Sequence, residues 1–143
     1  MSDFGTVESL LGVNPKNAES TLSLALSIEK GLPVTAADRV AKLVAPESKN
    51  VWVYRLVPKA TLERRRKEKK PLTAQEGDKV ARVAKVAAFA LNIFQDEGKV
   101  RDFLTRPHIM LENKTPIDVA LSTGAGADAV MNVLGRAAFG GAV

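Results

Sequence analysis

The chain has 143 residues and a formal net charge of +5, with 45% hydrophobic and 26% charged residues, which fits one medium or two small packed domains and excludes wholesale disorder. It has no cysteine, which removes disulfides, thiolate metal sites and cysteine nucleophiles together. No stretch reaches the roughly 18–20 apolar residues of a membrane span, and MSDFGTVESLLGV lacks the basic start and apolar centre of a signal peptide, so a cytosolic protein without membrane contact is expected.

Aromatics make up only 5%, so the core must be built from small and medium aliphatic side chains, as in packed helices. Residues 1–17 carry an apolar pair, Leu10-Leu11, and a stop at Asn14-Pro15, which suits a short helix or a loose arm. In STLSLALSIEK, Ser20 is the expected N-cap and Gly31 the residue after the C-cap, with Pro33 preventing continuation. Thr35 is expected to open the next helix with capping-box-like spacing to Asp38, and Ala36, Val40, Leu43 and Val44 share one face before Pro46. Between Pro46 and Pro58, the Val, Trp and Tyr of KNVWVYRLV suit a strand, while its length suits the short first helix of a helix-turn-helix; so short a segment leaves both open.

Residues 59–70, KATLERRRKEKK, read as a helix by propensity, with Ala60 and Leu62 toward the core and Pro71 at its end. Thr73 and Glu76 form a capping box that opens the longest helix. Along it Val80, Val83, Ala87, Ala90, Leu91 and Phe94 recur at three- and four-residue steps, and Val86, Phe89 and Ile93 widen the apolar arc. A helix buried on more than one side is the expected pillar between two halves. Beyond it, Val100, Phe103 and Leu104 mark a short helix closed by Pro107, and Thr115, Pro116 and Asp118 form a strong helix start. Gly124 and Gly126 are expected to break the chain before a last helix over 127–138, with Val130, Val133, Leu134 and Ala137 as its stripe and Gly140-Gly141 as its stop.

Little here carries catalytic chemistry. His108 is the one histidine, and nothing near it has metal-ligand or triad spacing. There is no GxxxxGK[ST] loop, and Asp96-Glu97 sits where a helix start favours acids. No enzyme activity, metal or cofactor is therefore expected. The charge distribution is informative instead. Arg55, Lys59, Arg64, Arg65, Arg66, Lys67, Lys69 and Lys70 stand against Glu63 and Glu68, so this segment holds +6 and the remainder sums to −1. Such a run can be a merely solvated helix face, but one basic element in an otherwise near-neutral chain favours an anionic partner. In a helix-turn-helix the second helix enters the major groove at its start. Lys59, Thr61, Arg64 and Arg65 are then the candidates for base edges, and Arg66, Lys67, Lys69 and Lys70 for phosphates.

From about Gly31 onward the chain resembles the Xre/MbcA/ParS antitoxins, partners of RES-domain toxins. The resemblance rests on GLPV, on TLERRRKEKKPLT with Glu76 before the long helix, and more specifically on KVRDFLTRPHIML, KTPIDVALSTGAGADAV and LGRAAFGG. Two departures stand out: Glu112-Asn113-Lys114 occupies the place of a common Gly-Gly-Arg-like run, and Phe139 replaces a frequent polar residue before the final glycine. The resemblance implies an all-α protein. An Xre-like helix-turn-helix half (1–72) would dimerise and bind the promoter DNA of its own operon as autorepressor. A long central helix would join it to a small helical toxin-binding half (73–143). It further implies a RES-domain toxin partner that consumes NAD or transfers ADP-ribose, with its NAD site obstructed by segment 127–143. Met131, Leu134, Arg136, Phe139, Gly140 and Val143 are the implied toxin contacts, Arg136 polar and Phe139 apolar. Structural roles compete for both, since Arg136 can complement the helix dipole and Phe139 can plug the core. A stand-alone helix-turn-helix regulator would share the basic helix but needs neither KTPIDVAL nor LGRAAFGG.

Overall fold

The computed structural model describes residues 7–12 and 21–139. Among these residues the secondary structure is entirely helical: α1 (Val7–Leu11), α2 (Thr21–Lys30), α3 (Val34–Val44), α4 (Lys49–Trp52) running into a 3₁₀ turn (Val53–Arg55), α5 (Lys59–Glu68), α6 (Ala74–Phe94), α7 (Glu97–Thr105), a 3₁₀ turn (Ile109–Leu111), α8 (Pro116–Ser122) and α9 (Gly124–Phe139). None of these helices is long and apolar enough to cross a membrane. The expected cap at Ser20 and the stop at Asn14-Pro15 lie outside the described residues.

The fold is organised around α6. Its start is set by the expected capping box: Thr73 Oγ1 accepts from the Glu76 amide, and the Glu76 carboxylate accepts from the Thr73 amide at 2.9 Å. Along its length Val80, Val83, Val86, Leu91 and the intervening alanines are buried. Small side chains let α1, α2, α3, α7, α8 and α9 all pack on it. One apolar cluster therefore runs from Leu11, Leu32 and Leu62 to Leu104 and Leu134. Three arginines tie the early helices or α6 to the later ones. Arg101 donates to the Leu43 carbonyl at the end of α3, Arg82 donates to the Leu121 carbonyl, and Arg55 pairs with Asp118 at 2.6 Å.

Local signals are realised at several other ends. Gly31 has φ +114°, and a side chain there would press on Pro71. Asp96 accepts from the Gly98 and Lys99 amides, and Thr115 accepts from the Asp118 amide with Pro116 as first helical residue.

Of the two forms left open for KNVWVYRLV, the structure has the helical one: Val53, Leu56 and Val57 are buried at three- and four-residue steps. Three expectations are corrected. Thr35 does not cap α3: the helix starts at Val34 behind Pro33, which has no side-chain acceptor, so Thr35 lies inside the first turn, and Asp38 bonds Arg66. Ala60 is exposed, leaving Leu62 as the buried anchor of α5. Gly124 and Gly126 do not break the chain but open α9, with Thr123 Oγ1 accepting from the Gly126 amide. A Cβ on Gly126 would lie 2.1 Å from the Val119 carbonyl oxygen. That glycine therefore allows close packing of α8 and α9, which the sequence pattern alone reads as a breaker.

Candidate functional site

The basic helix α5 begins directly behind Pro58, whose fixed φ of −54° sets its entry. Buried Leu62 fixes its rotation. A helix turns by about 100° per residue, so adjacent arginines cannot all face the same way, and the run divides into two groups.

The first group is tied into the fold. Arg65 is largely covered, its side chain only 15% exposed, and it makes a two-pronged bond to Glu76: Nε at 2.9 Å and Nη2 at 3.0 Å. The bond from Arg65 is the main reason that the Glu76 carboxyl lies below its usual range, and it raises the Arg65 pKa in turn. One carboxylate thus serves both the capping box of α6 and the arginine of α5. Arg66 makes the same kind of bond to Asp38, at 2.8 and 3.0 Å, which raises its pKa. Arg65 and Arg66, both expected on DNA, are therefore engaged by carboxylates of this chain. Arg65, a base-edge candidate, braces α5 against α6 in this structure.

The second group points outward. Ala60, Glu63, Arg64 and Lys67 are exposed at three- and four-residue steps, and neither Arg64 nor Lys67 has an ion-pair partner among the described residues. Thr61 is half-buried beside them. Lys59 Nζ lies 5.9 Å from the Tyr54 ring centroid, so Tyr54 steadies the first cation of the helix. Lys69 ends the helix in the left-handed region, φ 56°. With Lys70, Arg65 and Arg66 it lines a cleft of about 390 Å³ that reaches the start of α3.

Later in the chain, α9 lays its buried side against α6 and α8. Leu134, an expected partner contact, is fully buried and holds α9 against the core. Met131 is half-buried against the core, and Arg136 is exposed. Phe139 is the last helical residue; its side chain, Gly140 and Val143 lie outside the described residues. Among the described residues no three potential metal ligands come together.

Residues 23–85 match the family model of the antitoxin Xre-like helix-turn-helix domain, and residues 89–140 match that of the antitoxin Xre/MbcA/ParS C-terminal toxin-binding domain. A curated relative named Antitoxin Xre, from Photorhabdus laumondii subsp. laumondii, is 30% identical over 114 residues, covering 79% of this chain and 76% of the relative. The chain belongs to the Xre antitoxin family. A second Antitoxin Xre, from Pseudomonas putida, is 32% identical over 85 residues, 59% of this chain and 53% of that one. As an Xre-family antitoxin the protein carries its helix-turn-helix domain first and its toxin-binding domain second, and α6 supplies residues to both matched regions.

Sequence reasoning missed both arginine–carboxylate pairs. Their partners lie 11 and 28 residues away, and nothing local marks them. It also missed an exposed apolar turn at Ile109–Met110, whose residues carry no period of their own.

Proposed function

We propose that this antitoxin neutralises a RES-domain toxin by laying α9 and the residues after it across the toxin's NAD site, and that it represses its own promoter as a homodimer through α5. The observation that carries the DNA half is the outward group on α5. Arg64 and Lys67 are uncommitted cations on an exposed face, inside a domain matched as helix-turn-helix. On this reading α4 with its 3₁₀ turn is the first helix of the motif and Val57-Pro58 the turn. α5 enters the major groove with Lys59, Thr61 and Arg64 near base edges, and exposed Ala60 allows close approach. Lys67, Lys69 and Lys70 meet phosphates, so binding weakens as salt rises. Leu22 and Leu26, exposed one turn apart on α2, support two-fold pairing in this half.

The toxin half is supported by the matched toxin-binding domain and by exposed Arg136 at the end of α9. The test is co-expression with the product of the adjacent reading frame, followed by an NAD-consumption assay. Full-length protein is expected to bind and silence it. A chain ending at Phe139 keeps the buried residues of α9, and is expected to bind but silence less. An adjacent product that neither binds nor consumes NAD would leave a helix-turn-helix regulator without this partner.

A further inference from the structure

The segment His108–Lys114 is a tightly bonded turn with an apolar tip. The His108 amide donates to the Lys114 carbonyl at 3.1 Å. The His108 carbonyl accepts from both Leu111 and Asn113, each at 2.9 Å. The Met110 amide donates to His108 Nδ1 at 3.2 Å, and the imidazole packs edge-on against Phe103. Leu111 plugs the core, and the turn rests on α9. Glu112 and Asn113 both adopt the left-handed region, φ 56° and 64°.

All of this holds Ile109 and Met110 outward. Ile109 is 81% exposed and Met110 48%, against 8% for neighbouring Leu111. Leu111 already anchors the turn, so the fold has no use for two more apolar side chains there. Arg106, Glu112, Asn113 and Lys114 are exposed around them. An apolar centre with a polar surround, pre-ordered by backbone bonds, has the anatomy of a protein-binding hot spot. Met adds a side chain that adapts to an irregular surface.

We propose that Ile109 and Met110 are an anchor for the toxin, inserted into an apolar recess on it separate from the site that α9 covers. The occupant is the toxin rather than another molecule because the tip lies within residues 89–140, the toxin-binding domain, and is built on α9 itself. The inference rests on the toxin reading given above.

The test uses full-length protein and the product of the adjacent reading frame, with affinity measured by calorimetry. The variant Ile109→Ser/Met110→Ser changes exposed side chains only, so its melting temperature and promoter retardation should match those of the parent. Its affinity for the toxin should fall about tenfold or more. Val51→Ser, at a residue 70% exposed in the other domain, should bind the toxin like the parent. Should Ser at the tip unfold the turn, Ile109→Ala/Met110→Ala gives the same reading. Unchanged affinity in the tip variant, or an equal loss in Val51→Ser, overturns the anchor. No binding by the parent overturns the toxin reading first and the anchor with it.

Discussion

The two domains present their surfaces by different means. In the helix-turn-helix domain the surface is charged, and it is divided by helix rotation. Arg64 and Lys67 have no ion-pair partner among the described residues, whereas Arg65 and Arg66 between them hold Glu76 and Asp38. In the toxin-binding domain the exposed tip is apolar, and backbone bonds around His108 hold it still. A run of like charges is thus not one patch: part of it is framework. An exposed isoleucine is likewise not an accident when the turn beneath it is fully bonded. The common element is α6, on which both domains are packed.

The largest effect should come from weakening that shared helix. Leu91→Ala, at a position 1% exposed, is expected to cost about 2–5 kcal/mol. It should lower a single melting transition followed by both near- and far-ultraviolet circular dichroism. Two separated transitions would mean that the domains are independent units, and the contrast drawn above would then be between two bodies.

Next comes Gly126→Ala, which drives a Cβ into the Val119 carbonyl. The expected cost is about 1–3 kcal/mol, concentrated at the α8–α9 junction. Toxin neutralisation should fail at a temperature where promoter retardation persists, and simultaneous loss of both would show that the disturbance spreads through α6.

The contrast between neighbouring arginines gives a third prediction. Arg65→Ala removes the guanidinium from Glu76, leaving it only the Thr73 amide, and should lower the melting temperature, while Arg64→Ala should leave the melting temperature unchanged and weaken DNA retardation. The same melting loss in both variants would erase the distinction between framework and contact.

The smallest effect is on acid stability. The Glu76 and Asp118 carboxyls are held below their usual ranges, chiefly by bonds from Arg65 and Arg55. A depressed carboxyl contributes stability that is fully present above its unfolded pKa, about 4.3 for Glu and 3.9 for Asp. That stability is lost as pH falls through the folded value. The melting temperature should therefore be level above about pH 5 and decline below it, with Glu76→Gln flattening the decline. Asp118→Asn should matter less, about 0–1 kcal/mol, because it and Arg55 are roughly half exposed, 53% and 47%.

The parts of this molecule that its sequence makes legible are the local ones. Thr73 with Glu76, and Thr115 with Pro116 and Asp118, state their helix starts within four residues, and the period of α6 states its burial. Thr35 and Asp38 have the same spacing yet form no cap, because α3 already begins at Val34 behind Pro33 and Thr35 lies within its first turn. Gly126 looks like a breaker until α8 is in place, since the reason for a glycine is the Val119 carbonyl of another helix. Leu134 and Met131 lie on the same expected surface, but only packing shows that one is sealed in the core. The basic helix was visible as charge; which of its cations are free was decided by partners brought in from α3 and α6.

The division of the α5 charges is tested most directly by promoter retardation with Arg64→Ala/Lys67→Ala, run beside a toxin-binding assay on the same preparation. Loss of retardation with an unchanged melting temperature and full toxin binding is the predicted result. Undiminished retardation would contradict the outward face of α5 as the DNA contact and place that contact elsewhere on the helix-turn-helix domain.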